Sequence, residues 1–292
     1  MANLAKSVAL PLLNLIVKKP IYLLLLIALL VAGWFVENSY LRPAMSYMGV
    51  PQLQSAPNGN QWSHILRKEA FMLEYSEGLK NPLWVVYQVK QKAPYESGKR
   101  PSSFSQDSRT LAGIRHDDYT GSGYDRGHMA PNFAIATSHG RNAQLETFLM
   151  TNISPQKPDL NRKAWQRLEE IVATELAPKY GDLWVFTGPI FADKSSTLKS
   201  SAVAIPKAFF KIIVRPYISD QQSAQVLAFI FPQKVKGDEN LLKFVTTVDE
   251  IEAQTGIDFM ADFEDNFEGL LESSKVPEVW NFSAYSNRPS RY

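Results

Sequence analysis

Between Lys19 and Glu37 the chain holds an unbroken uncharged run, Pro20 to Val36, reading PIYLLLLIALLVAGWFV. As a helix this run is at the short end of the roughly 17 to 25 residues that cross a bilayer. A core helix of a soluble protein would carry a polar stripe, and this segment has none, which predicts a transmembrane helix over 20–36. Lys18 and Lys19 precede it, and no acidic residue comes before Glu37. The positive-inside rule then keeps segment 1–19 in the cytoplasm and sends the bulk of the chain across. Val31-Ala32-Gly33 resembles a cleavage site, but a basic region of 19 residues before the apolar run is long for a signal peptide and favours an uncleaved anchor. The address this predicts is a bacterial inner membrane with the domain facing the periplasm. A mitochondrial inner membrane is the second choice.

Beyond the anchor the remaining chain carries 28 basic and 29 acidic residues, so it is not globally basic. Charge is instead distributed in blocks. Gln91 to Leu168 holds 11 Lys/Arg against 7 Asp/Glu, while Asp238 to Glu278 holds 2 against 12. A polyanion would meet a local basic face, because screening confines charge effects to about 10 Å at 0.1 M salt. The acidic block reads as a solvated outer face. Cysteine is absent, which excludes disulfide scaffolds, thiol catalysis and cysteine-ligated metals.

The stretch 37–74, with Pro43, Pro51 and Pro57, reads as a linker that ends by tucking against a domain spanning 75–292. Buried strands are expected at Leu83 to Val89, Leu183 to Phe191, Val203 to Val214 and Val226 to Phe231. Asp159 to Ala177 has helical spacing, with Leu160, Ala164, Leu168, Ile171, Val172 and Leu176 on one side and Pro178 as its stop. A second helix is expected at Val248 to Thr255, ended by Gly256. The fold class is α+β, with a central sheet and one long buried helix.

Four histidines are present, His64, His116, His128 and His139, and no pair has the i, i+4 spacing of a helical zinc site. A Gly-x-Ser-x-Gly nucleophile turn and a phosphate loop ending in Lys-Ser/Thr are also missing. Polar residues concentrate instead in three segments: Gly121 to Pro131, containing Asp125-Arg126-Gly127-His128; Thr151-Asn152-Ile153-Ser154-Pro155-Gln156; and Leu160 to Glu169. Together they resemble, in order and spacing, the DNA/RNA non-specific endonucleases, the ββα-metal nucleases that include bacterial sugar-nonspecific nucleases and mitochondrial endonuclease G. Thr187-Gly188-Pro189 and Val248-Asp249-Glu250-Ile251-Glu252 are similar to the family as well, and the resemblance spans about Tyr75 to Leu271. It implies a ββα-metal nuclease fold with a central antiparallel sheet and a long active-site helix. It also implies a metal-dependent endonuclease that hydrolyses DNA and RNA with little sequence specificity.

Phosphodiester hydrolysis needs a base to activate water, a Lewis acid on the leaving oxygen, and positive charge beside the phosphate. His128 is the candidate base, since a free imidazole near pKa 6.5 is neutral and accepting at pH 7 to 8. The rate should then rise through about pH 6 to 7, with nearby positive charge moving the limb lower. Arg126 beside it is a candidate phosphate ligand, and Gly127 would permit close backbone approach. Asn161 is the metal candidate, its amide oxygen with water in the other positions suiting Mg²⁺, with Mn²⁺ as an alternative. The same residue would also serve as a helix N-cap. Glu169, eight residues on, is about 12 Å along an ideal helix, and following the family it is expected to hold the metal through water. The resemblance further implies an upstream arginine facing the phosphate. Arg100 fills that place, with Arg109 and Arg115 as rivals. Asn152 is expected to support the surroundings of His128, or else to be a turn residue before Pro155.

Two other classes compete: a non-catalytic nucleic-acid binding or uptake module on the same fold, and a metal-dependent phosphodiesterase for a small or lipid substrate. A binder needs the arginines but not the base. The expected partners are DNA and RNA and, through the N-terminal helix, the membrane. A homodimer stays open.

Overall fold

The computed structural model describes residues 20–55, 62–216 and 224–291, so the basic segment 1–19 lies outside the described residues. The chain divides into two compact units, Met1–Ala44 and Met45–Tyr292. In the first, the apolar run forms helix α1, Pro20–Val36, with its leucines, Trp34 and Phe35 exposed. It is continuous with further helical turns, so Ile21–Met45 is, among the described residues, the one helix long and apolar enough to cross a membrane.

The second unit is built on an antiparallel sheet of seven strands. They are β2 (Ser63–Arg67), β3 (Phe71–Ser76), β4 (Asn81–Val89), β7 (Leu183–Ile190), β8 (Ala208–Arg215), β9 (Gln225–Pro232) and β10 (Val245–Thr246), in the spatial order β10-β9-β8-β7-β4-β3-β2. Two short antiparallel pairs accompany it. One joins β1 (Gln52–Leu53) to β11 (Ile257–Asp258), and the other joins β5 (Asp125–His128) to β6 (Ile153–Gln156). Helices α2 (Asn132–His139) and α3 (Arg141–Glu146) follow β5. Helix α4 covers 160–180, and α5 (Val248–Thr255) and α6 (Asp265–Glu272) come last.

The central strands read as continuous apolar runs because both sheet faces are covered. Alternate residues of a strand point to opposite sides. Along β8, Phe209 and Ile213 join the core that holds Leu160, Trp165 and Leu168 of α4. Phe210, Ile212 and Val214 join a second core with Val248 and Ile251 of α5 and Leu271 of α6. Gly188 of β7 permits this closeness: a Cβ there would fall 2.4 Å from the Leu83 carbonyl and 2.8 Å from the Phe210 ring. The Thr187-Gly188-Pro189 segment is therefore a packing feature.

Three sequence expectations are corrected. The stretch 37–74 is not all linker, because β2 and most of β3 lie within it and β3 pairs with β4, Leu73 opposite Val85. The strand was hidden by Glu74, a charge in mid-run, which is buried with Trp84 Nε1 (2.8 Å) and Ser63 Oγ (2.6 Å) donating to it. The long helix does not stop at Pro178. A wide π-type stretch, Val172–Leu176, ends just ahead of it, so Pro178 falls in the first turn of Ala177–Tyr180, where its missing N–H costs little. Gly181, at φ +100°, ends the helix. Finally, the run from Val203 becomes strand only at Ala208, after Pro206. α5 ends at Gly256 as expected, the glycine taking the left-handed conformation, and its start is capped by Thr247, whose hydroxyl accepts from Glu250 N (3.2 Å).

Candidate active site

β5, β6 and α4 converge on a cleft of about 670 Å³ whose lining includes Arg100, Phe104, Asp125, His128, Asn161 and Glu169. The ribbon that carries the base is held to the main sheet from behind. Ser154 of β6 donates to Asn81 of β4 (2.7 Å), and Gln233 donates to the Pro155 carbonyl (2.9 Å). Gly127 is required here for packing. A Cβ at this position would fall 2.2 Å from the buried Gln156 side chain, so the glycine lets the two strands pair closely.

His128 ends β5 with 8% of its surface exposed, between the rings of Phe104 (5.2 Å) and Phe148 (4.9 Å, edge-on). Its Nε2 has no hydrogen-bond partner in the protein. Burial, and then the charge of Arg100, pull its pKa down to about 3. The imidazole is therefore neutral and open to accept a proton. The other histidines are elsewhere: His116 Nδ1 accepts from Phe104 N (3.2 Å), His139 bonds the Gln88 carbonyl (2.7 Å), and His64 stacks on Trp62.

Asn152 does not touch His128. It is fully buried and clamps the next turn: Oδ1 accepts from Ala130 N (2.8 Å), and Nδ2 donates to the carbonyls of Ala130 (2.9 Å) and Thr147 (3.0 Å). Arg126 lines the cleft but is largely engaged by the protein itself. Its Nε (2.9 Å) and Nη2 (2.6 Å) donate to the His116 carbonyl, and Nη2 also donates to Thr120 Oγ1 (2.9 Å), so most of its donors brace the loop before β5. Among the rival arginines, Arg109 is held by Asp107 (3.0 Å) and the Arg67 carbonyl (3.0 Å), and neither it nor Arg115 lines the cleft. Arg100 does, over the Phe148 ring at 5.6 Å. Of the three arginines that sequence spacing left open, Arg100 is the one that lines the cleft.

On α4, Asn161 is inside the helix, with its backbone N–H bonded to the Lys157 carbonyl (2.9 Å), so the N-cap reading is not borne out. Its amide nitrogen donates to Asp125 Oδ2 (3.0 Å), which fixes the orientation of the amide. Arg162 grips the same carboxylate through Nε (2.7 Å) and Nη2 (2.6 Å). Burial raises the Asp125 pKa, but these bonds outweigh it and hold the carboxyl below its usual range. Arg167 of the same motif is structural, buried and donating to the carbonyls of Gly237 (2.9 Å), Glu239 (3.0 Å) and Ser286 (3.0 Å).

Glu169 reaches the cleft from the next turns, one carboxylate oxygen buried and without a hydrogen bond. Burial pushes its pKa up to about 7, against the pull of Lys211. Lys211 went unnoticed in the sequence. It is the one charge inside the β8 run AFFKIIVR, which ends at Arg215, and is fully buried, its Nζ 3.5 Å from Glu169 and 4.2 Å from the Trp165 ring centre. That mid-strand charge was the available signal. Arg291, which lines the cleft and donates to Glu170 (2.7 Å), carried no comparable signal. The Asn161 amide oxygen and the Glu169 carboxylate, whose buried Oε1 lies 3.5 Å from Lys211 Nζ, are oxygen donors lining one cleft with room for water, which fits a hard divalent cation such as Mg²⁺.

A buried neutral imidazole, an arginine and an oxygen donor set on a ββα ribbon define a metal-dependent phosphodiester hydrolase. Residues 51–266 match the sequence profile of the DNA/RNA non-specific endonucleases, and the chain belongs to that family. It is 30% identical over 223 residues to a nuclease of Nostoc sp., covering 72% of this chain and 78% of that one. To mitochondrial endonuclease G of Bos taurus it is 29% identical over 245 residues, covering 75% and 80%. To the nuclease of Serratia marcescens it is 28% identical over 233 residues, covering 76% and 85%. Among solved structures, that of an EndoG/EndoGI complex superposes with a TM-score of 0.62 at 25% identity, covering 71% of this chain and 90% of that one. The protein is an endonuclease that acts on nucleic acid.

Proposed function

We propose that this chain is a membrane-anchored, Mg²⁺-dependent endonuclease that cleaves DNA and RNA with little sequence preference, its domain on the non-cytoplasmic side. The observation that carries the catalytic reading is that His128, whose buried Nε2 has no protein partner, lines the same cleft as Arg100, Asn161 and Glu169. His128 accepts a proton from the attacking water at Nε2 as the oxygen bonds to phosphorus. Arg100 lies against the phosphate oxygens and offsets the charge that gathers there. Asn161 and Glu169 would hold the cation, which supplies Lewis-acid stabilisation of the leaving oxygen. Asn152 and Arg126 keep the turns on either side of His128 in place. Contacts to phosphates carry no base sequence, in keeping with a non-specific enzyme.

Nicking of supercoiled plasmid and degradation of single-stranded RNA, both Mg²⁺-dependent and both abolished by chelator, are the expected results. Binding without cleavage would favour the nucleic-acid uptake module. Cleavage only of small phosphodiesters would favour the third class. For the anchor, the support is the exposed apolar helix Ile21–Met45 together with Lys18 and Lys19 ahead of it. The full chain should stay with membranes through high salt and alkaline carbonate, and release without detergent would overturn the anchored reading.

A further inference from the structure

The acidic block of the sequence is not spent evenly on a solvated face. Asp249 and Glu252, three residues apart on α5, share one helix side, and Glu272 closes on them from the end of α6. One carboxylate oxygen of each lies within 4.8 Å of the other two. Glu272 is the unusual member: only 6% exposed, with one carboxylate oxygen buried and unpartnered. It also sits at a helix C-terminus, where the backbone dipole disfavours an anion. Leaving a buried carboxylate oxygen without a donor costs free energy that nothing nearby in the protein returns. Glu252 has one donor, Phe259 N (2.7 Å).

We propose that Asp249, Glu252 and Glu272 form a second divalent-cation site, of the Ca²⁺ type, that fastens α6 to α5. It is separate from the nuclease cleft, since α5 and α6 pack on the opposite sheet face from α4. Three oxygens this close can touch one ion at 2.3–2.6 Å, with water completing the sphere on the exposed Asp249 side. Several carboxylates in direct contact suit Ca²⁺, whereas Mg²⁺ prefers to keep its waters. Charge supports the same assignment. Burial pushes Glu252 up to about 7 and Glu272 up to about 9, and the charges that add to this are other carboxylates, Asp249, Asp258 and Glu268 among them. A divalent ion would remove that repulsion and displace the protons, so its binding should tighten as pH rises.

The test uses the full chain in detergent with Mg²⁺ saturating the nuclease cleft, with Ca²⁺ as the probe. Calorimetric titration should show one further Ca²⁺ bound per chain, and Ca²⁺ should raise Tm by about 5 °C, more at pH 8 than at pH 6. Glu272→Gln and Asp249→Asn should each abolish the Ca²⁺ effect while plasmid nicking in Mg²⁺ is unchanged. Glu272→Gln should also be at least as stable as the unchanged protein without Ca²⁺, because Gln is a neutral isostere of a carboxyl that burial and its acidic neighbours keep from ionising. No Ca²⁺ binding in the presence of Mg²⁺, or an equal Tm rise in all three proteins, would overturn the site and leave Glu272 a protonated core carboxyl.

Discussion

Lys211 Nζ lies 3.5 Å from the Glu169 carboxylate, and the lysine is wholly buried between the sheet and α4. Strand parity places it there: residues 209, 211 and 213 of β8 share the face packed against α4. Burial lowers the Lys211 pKa to about 8 and raises that of Glu169 to about 7, so each ion depends on the other to stay charged. Lys211→Met should cost about 3 to 5 kcal/mol, because it strands a buried carboxylate. Lys211→Met with Glu169→Gln should recover most of that stability and none of the activity. Urea unfolding of the unchanged protein and the two variants measures this, and a double variant no more stable than the single would rule out the pairing.

His128→Ala should lower nicking by roughly 10² to 10⁴ with the fold intact, since what is lost is proton transfer. Circular dichroism controls for folding. Near-normal cleavage by a folded His128→Ala protein would remove His128 from the mechanism.

The pH profile should differ from that of a free imidazole. Folded His128 titrates at about 3, not near 6.5, so at saturating Mg²⁺, where the cation opposes protonation of Glu169, the acid limb should fall below pH 6. Stability follows the same group. Between about 3 and 6.5 the unfolded chain binds more protons at this site than the folded chain, so its contribution is lost as pH falls through that window. A rate limb held at pH 6 to 7 under saturating Mg²⁺ would assign proton acceptance to another group.

Asn161→Ala should weaken apparent Mg²⁺ affinity more than Glu169→Gln does, because its amide is aimed by Asp125 at 3.0 Å while Glu169 stands behind it. Equal affinities in both variants and the unchanged protein, measured by Mg²⁺ titration of nicking, would contradict the assignment.

Gly127→Ala is expected to act through packing. Its Cβ would lie 2.2 Å from Gln156, so β5 or β6 must shift, at a cost of about 1 to 3 kcal/mol, and His128 moves with β5. Thermal unfolding and kcat should fall together. A loss of substrate binding alone would point instead to backbone contact with phosphate.

Much of this was legible along the chain. The apolar run 20–36, four strands of the central sheet, the periodic face of α4 and the three polar segments are local patterns, and local patterns survive in a linear sequence. Asp125-Arg126-Gly127-His128 is contiguous, so the motif is visible without a fold, while the packing role of Gly127 and the hold of Asp125 on Asn161 are not. Other features depend on residues far apart. Which arginine faces His128 could not be read from spacing, because Arg109 is taken by Asp107 while Arg100 is carried by a long loop to Phe148. Arg126 is committed to the His116 carbonyl for the same kind of reason. The strand Phe71–Ser76 was obscured by Glu74, whose partner Trp84 is on the neighbouring strand.

The class of chemistry is written along the chain: a histidine, an amide and a carboxylate in set order, without cysteine and with one apolar segment. Which groups are neutral, paired or left without a partner is settled by folding. Desolvation and pairing depend on what surrounds a side chain in space. Folding withdraws His128 from water without a donor, sets Lys211 behind Glu169, and turns two distant stretches of an acidic block into three converging carboxylates.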